Sequence, residues 1–220
     1  MPGDLIIAEI QQPFFEYHAN FKEPITIFFS AGRQAEIMDA MYKALGPWHM
    51  DFENVGWQQS AKNLREVQLN FVVPSQFASF QVGIAGVTMT ALNPDWSRAP
   101  ELVRLFQAGV GALKTSTGQE FQSQQTMLGF HLRPPAARPF REIVAQFVNA
   151  ELLGNDATMF GVSVYYTDHA LTLDSSAAVQ DGLFVKLVRN FTSERQFEEM
   201  AQALYADEEA ALRRLGLKLQ

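Results

Sequence analysis

The amino-acid sequence predicts an α+β fold, with a mainly antiparallel sheet and helices packed on it. Three observations carry this. Short stretches alternate apolar and polar residues at the period of a strand, as in Phe15, Tyr17, Ala19 and Phe21. Other stretches place apolar residues at helical spacing, as in Leu102, Leu105, Phe106, Val110 and Leu113. The two kinds recur in the same order along both parts of the chain.

The first part opens on the strand Phe15 to Phe21, and the β-branched and aromatic run Ile25 to Phe29 extends it or forms its hairpin partner. Ser30 is placed to cap a helix whose face is Ile37, Met38, Met41, Ala44 and Leu45, and Gly46-Pro47 stops it. Residues 48–63 lose periodicity and read as a loop or an irregular edge strand. Val67, Leu69, Phe71 and Val73 alternate up to Pro74, and a second strand starts with Phe80, Val82 and Ile84 and runs toward Leu92; the two form a hairpin. Asn93-Pro94-Asp95 is turn chemistry, and Ser97 is a cap candidate for the helix that follows.

The second part repeats this plan. A strand from Phe121 to Arg133 ends at Pro134-Pro135, and a helix is expected through Phe140, Ile143, Val144, Phe147 and Val148. Phe160 to Tyr166 is the next strand, Asp168-His169 the turn, and Leu171 and Leu173 the return strand; Leu183 to Val188 is a further strand. The last helix opens with Ser193 and Gln196 spaced as a capping box, with Phe197, Met200, Ala201, Leu204 and Leu215 on one face. Its acids sit near the N-terminal end and Arg213, Arg214 and Lys218 at the other, as the helix dipole favours. Residues 1–220 are therefore expected to form one α+β domain of two strand-helix-strand-strand-helix halves, 1–117 and 118–220.

Composition limits the function. Seventeen basic and 24 acidic residues leave a net charge of −7, and neither half is basic. A nucleic-acid binder needs a cationic field to displace counterions, and an anionic membrane surface asks for the same, so both partners are disfavoured. The absence of cysteine excludes disulfides, thiolate nucleophiles and Cys-ligated metals. No secretion signal is legible at the N-terminus, and a cytoplasmic protein is expected.

Short matches give a resemblance. Leu92-Asn-Pro-Asp-Trp96 with Glu101-Leu102, then Leu171-Thr-Leu-Asp174, Phe197-Glu198 and Leu215-Gly216, resemble a sporadically distributed family of bacterial proteins. That family implies no activity and no catalytic residue. The doubled plan is also similar to the gyrase-inhibitor-like ligand-binding domains, which implies a small-molecule groove between halves; this is an architectural analogy.

No phosphate-cradling loop or nucleophile elbow is present: Gly109-Val-Gly111 lies inside an expected helix and Gly161-Val-Ser163 inside an expected strand. His49, Asp51 and Glu53 would project from one face if their segment were a strand, but this spacing is common by chance, a solvated polar edge is the preferred reading and no metal is assigned. Asp168-His169 is read as an ordinary hairpin tip. His131, Arg133, Arg138 and Arg141 make the most cationic neighbourhood, where a small acidic ligand or an acidic peptide could dock, against the simpler reading that these arginines form ordinary salt bridges with the abundant acids. Trp48, Phe52 and Trp57 either cover the core or form an exposed recognition patch. These seven residues are the candidate binding set. No cofactor is assigned.

The expected function is a non-enzymatic protein-interaction module that binds a partner or its own copy. Two alternatives stay open: a sensor of small apolar or acidic molecules with a Phe-lined groove between the halves, and an enzyme whose site assembles only in space.

Overall fold

A computed structural model describes residues 6–25, 30–58, 67–133, 142–143 and 161–219. The chain is α+β, with three long helices among the described residues: α1 (Ala31–Leu45), α2 (Ala99–Thr117) and α3 (Phe197–Arg214). The strands are β1 (Ile6–Phe21), β2 (Val55–Gln58), β3 (Gln68–Val73), β4 (Ala78–Gly83), β5 (Gly86–Leu92), β6 (Phe121–Arg133), β7 (Gly161–Tyr165), β8 (His169–Ser175), β9 (Leu183–Phe191) and β10 (Leu217–Leu219). The chain divides into two compact units whose boundaries cut β1, β6, β9 and α3. Unit 1 comprises 1–13, 127–189 and 201–220; unit 2 comprises 14–126 and 190–200.

Unit 2 carries the strand order β2-β3-β4-β5-β1-β6. Its pairs β2·β3, β3·β4, β4·β5 and β5·β1 are antiparallel. Burial alternates along each central strand, so Leu69, Phe71, Phe80, Val82, Val87, Met89, Tyr17 and Ala19 point to one face. Against that face α1 presents Ile37, Met41 and Leu45, and α2 presents Leu102, Leu105, Phe106 and Leu113. The Phe106 ring meets Phe80 edge-on at 5.7 Å and stacks on Phe15 at 5.5 Å. Gly109 is what lets α2 approach so closely: a Cβ there would lie 2.3 Å from the Phe80 ring.

The polar part of this core is centred on Gln124 of β6. Its amide nitrogen donates to the Tyr17 hydroxyl at 2.9 Å, and its carbonyl accepts the Arg195 backbone N–H at 2.5 Å. Burial pushes the Tyr17 hydroxyl well above its ordinary pKa, so it stays neutral and able to hydrogen-bond.

Unit 1 contains the order β6-β9-β8-β7, with β7·β8 and β8·β9 antiparallel. The start of β1 pairs in parallel with β10, Ile6 opposite Leu217. Leu171, Leu173, Val185, Leu187, Leu204, Leu212 and Leu217 are buried. One ion-pair network runs from strand to helix. Arg189 of β9 holds Asp207 of α3 with Nε and the second guanidinium nitrogen at 2.6 and 2.8 Å, and it reaches Asp168 at 3.1 Å.

Several local expectations change. The strand expected to run from Phe80 toward Leu92 is two strands with a turn at Ile84-Ala85. The signal is a parity switch: the apolar positions are even in Phe80 and Val82 but odd in Val87, Met89 and Ala91, and the antiparallel pairing of Val82 with Val87 reconciles them by a reversal. Ser97 does not cap α2. It lies in a 3-10 turn, where its N–H and hydroxyl both donate to the Asp95 carboxylate, and α2 begins at Ala99. The capping box at Ser193 is displaced too, because α3 starts at Phe197, one turn later, with the Arg195 N–H taken by Gln124.

The last helix stops at Arg214, short of Lys218. Gly216 adopts a left-handed φ of 70° that ends it, and Leu217–Leu219 gain more hydrogen bonds beside β1 than as a frayed turn. The region of ambiguous periodicity after Trp48 holds a 3-10 turn at Phe52–Asn54 and then β2, at one end of the strand order. Of the helix expected around residues 140–148, Glu142 and Ile143 are helical and the remainder lies outside the described residues.

Candidate interaction surface

Unit 2 buries one face of its sheet and leaves the other to solvent in part or in full. Strand alternation assigns Gln68, Asn70 and Val72 of β3 to this outer face, with Ser79 and Gln81 of β4 and Thr88, Thr90 and Leu92 of β5. From β1 come Phe14, Glu16, His18 and Asn20, in register with Leu92, Thr90, Thr88 and Gly86. Only Glu16 among them is a carboxylate, and no Lys or Arg is present. Glu16 is bridged to His18 at 2.9 Å, and His18 also contacts the Thr88 hydroxyl at 3.1 Å. A chain with 24 acidic residues thus carries a nearly uncharged sheet face.

One end of this face is apolar. Leu92 is 55% exposed, Val72 41% and Phe77 70%. Phe77 sits at the β3–β4 turn, next to Leu92, whose N–H donates to the Phe77 carbonyl at 3.0 Å. The Pro74–Gln76 turn ends on Phe77 with a left-handed φ of 47°, a conformation unfavourable for a bulky side chain. The turn is braced by the Ser75 hydroxyl, which donates to the Trp48 carbonyl at 2.6 Å.

The candidate residues from sequence fall in different places. Trp48 is half-buried and packs against the core, whereas Phe52 is 69% exposed and Trp57 42%. Phe52 stacks on Tyr42 of α1 with ring centroids 4.2 Å apart, and Trp57 stands opposite Leu69 in the β2·β3 register. His49, Asp51 and Glu53 do not project from one strand face: His49 has a left-handed φ of 60° and Glu53 lies in a 3-10 turn. Among the described residues no three His, Asp or Glu side chains converge as a metal site.

In unit 1, His131 is half-buried beside Phe184, at 4.9 Å between rings, and burial lowers its pKa. The Ser176 hydroxyl accepts backbone N–H groups of Ala178 and Val179 and is left to donate to His131 Nδ1 at 2.8 Å. That arrangement and burial both favour the neutral ring. Arg133 pairs with Glu9 at 3.4 Å on the surface. Arg138 and Arg141 lie outside the described residues.

Asp168 and His169 are joined at 2.8 Å, and this hydrogen bond, assisted by Arg189, holds the Asp168 carboxyl below its ordinary pKa. The His169 ring stacks on Tyr166 at 4.1 Å, whose hydroxyl accepts from Arg214 at 2.7 Å. This network has the makings of an acid–base pair, but its groups are engaged with one another as a tether between β8, β9 and α3.

Sequence reasoning missed Val72, Phe77 and Leu92. Their strand parity was legible for Val72 and Leu92, which oppose the apolar stripe of their own strands. Phe77 gave only an aromatic inside a Pro-Ser-Gln turn.

No family model matches this chain, and no curated protein does. Solved structures that it matches include the Methanococcus jannaschii TBP, at 10% identity over 95% of this chain and 98% of that one, with a TM-score of 0.34. A chain of the A. aeolicus tRNASec complex with M. kandleri SerRS matches at 10% identity and a TM-score of 0.34, over 94% of this chain and 31% of that one. The class II 3-hydroxy-3-methylglutaryl-CoA reductase of Streptococcus pneumoniae matches at 9% identity and a TM-score of 0.25, over 96% of this chain and 62% of that one. Similarity at this level carries no argument about function.

Proposed function

We propose that this chain is a non-enzymatic protein-interaction module, and that its partner is a second copy of itself docked through the outer sheet face of unit 2. The observation that carries this reading is the row of exposed Val72, Phe77 and Leu92 at the end of a face with a single, already paired carboxylate. Interface centres are depleted in charge and built on large apolar anchors. Charge is compatible with a copy as the partner at this face. Two chains of net charge −7 repel over most surfaces, and a nearly neutral face is where they meet at the lowest electrostatic cost. The strained φ of Phe77 supports the same reading, since an exposed ring held in an unfavourable conformation adds nothing to folding. The cysteine-free composition fits a cytoplasmic setting for this assembly.

Sedimentation velocity across a concentration series tests it. The wild-type chain is expected to show reversible dimerisation that tightens as added salt screens the repulsion between two chains of net charge −7, and the Phe77→Ser/Leu92→Ser variant is expected to weaken it by about tenfold or more. A wild-type chain that stays monomeric, or a double variant that associates as tightly, would sink the reading.

A further inference from the structure

Unit 1 contains a cavity of about 240 Å³ between the second half of α3 and β10. Tyr205, Glu208 and Leu212 line it at positions i, i+3 and i+7, which places them on one face of the helix. Leu217 enters from β10, just past the Gly216 turn. Leu212 and Leu217 are buried, and the Tyr205 ring is exposed. The cavity therefore combines an apolar wall and an accessible aromatic ring with one carboxyl group.

Among the described residues that carboxyl forms no ion pair. Glu208 is partly buried, and burial alone raises its pKa to about 7. The charged side chains that share the lining are accounted for: Arg213 is held by Glu209 at 2.7 Å, and Lys218 is an exposed residue of β10 that forms no ion pair with Glu208. Elsewhere in the fold carboxylates take nearby cations, as Asp207 takes Arg189. Glu208 lines the cavity with no ion-pair partner among the described residues, and a bound cation would supply one.

We propose that this cavity is a binding site for a small organic monoamine, whose ammonium group pairs with the Glu208 carboxylate and whose apolar body rests on Leu212, Leu217 and the Tyr205 ring. A metal ion is a poor occupant, because hard cations require several oxygen ligands and the site offers one carboxylate beside a Glu209 already engaged by Arg213. A polyamine is disfavoured, since Arg213 and Lys218 at the rim repel a second positive charge. The volume suits a body of roughly ten non-hydrogen atoms. The exposed tyrosine adds a cation–π contact that a neutral ligand of the same shape does not make. Because the amine binds the ionised carboxyl, proton and ligand compete, and binding near neutral pH releases a proton.

Isothermal titration of the full chain with phenethylamine, phenethyl alcohol and 3-phenylpropionate tests this. Phenethylamine should bind about tenfold more tightly at pH 8 than at pH 6, following ionisation of Glu208, and more tightly than either of the other two. Glu208→Gln should lose about tenfold or more in affinity together with the pH dependence. In the wild-type chain, carboxyl NMR should show Glu208 titrating near neutrality and moving to lower pH when phenethylamine is added. Equal binding of the alcohol or the acid, unchanged affinity in Glu208→Gln, or a Glu208 titration that phenethylamine does not move would each overturn the proposal.

Discussion

The two units seat helices on strands with different chemistry. In unit 2 the contact of α2 with β4 and β1 is made of rings: Phe106 touches Phe80 and Phe15, and Gly109 removes the side chain that would hold the helix away. In unit 1 the second half of α3 is tied to β9 by charge, through the two-pronged contact of Arg189 with Asp207. Dispersion and hydrophobic burial reward close approach without fixing orientation strongly, whereas a paired guanidinium and carboxylate hold one geometry and are costly to break. The first arrangement should fail by leaving a void, the second by stranding a charge.

Truncation tests that contrast most severely on the apolar side. Phe106→Ala is expected to destabilise the chain by about 3–5 kcal/mol in urea unfolding, because the ring is almost wholly buried and touches three other aromatic rings. Asp207→Ala should cost about 2–3 kcal/mol, the larger part from leaving Arg189 partly buried with only the more exposed Asp168 to face it. Asp207→Ala in a chain that also carries Arg189→Met should cost less than Asp207→Ala alone, since no charge is stranded. If the double change is as harmful as the sum of the single ones, the tether is packing and not charge.

A smaller effect of opposite sign is expected at Glu208. Its folded pKa is raised to about 7 from the ordinary 4.5, so between these values the unfolded chain gives up its proton first and stability falls as pH rises. Glu208→Gln removes that penalty. The variant should match the wild type at pH 4 and exceed it by about 1–2 kcal/mol at pH 8, a figure reduced from the full linkage value because the side chain is only partly buried. Equal stability of the two proteins at pH 8 would place the carboxyl in ordinary solvent and remove the basis of the amine site as well.

How far the sequence could be read depended on whether a local pattern had competitors. Phe15 to Phe21 alternates without interruption, and Tyr17, Ala19 and Phe21 are buried as that alternation requires. The strand toward Leu92 was misread because a two-residue turn flanked by Gly83 and Gly86 is a weak interruption in a run of β-formers. Both displaced caps have one cause: a serine at capping distance is only an offer, and Asp95 and Gln124 supplied better partners from elsewhere.

The outer face of unit 2 was half legible. Parity along β3 and β5 marks Val72 and Leu92 as facing away from the core, but nothing local places Phe77 beside Leu92, because that neighbourhood is made by strand register. Glu208 was illegible. In the run Asp207-Glu208-Glu209 three acids look alike, and the fold gives each a different setting: Asp207 a guanidinium, Glu209 an arginine one turn on, and Glu208 a cavity.

The sequence by itself therefore determined the α+β class, the faces of the helices and most strands, and the acidic, cysteine-free character, because these follow from short-range periodicity and composition. Tertiary structure alone decided which strands are neighbours, where the uncharged face and its apolar end lie, and which of several similar acids faces the cavity beside β10. Those properties depend on burial and on partners distant in the chain, and a residue's type does not encode either one.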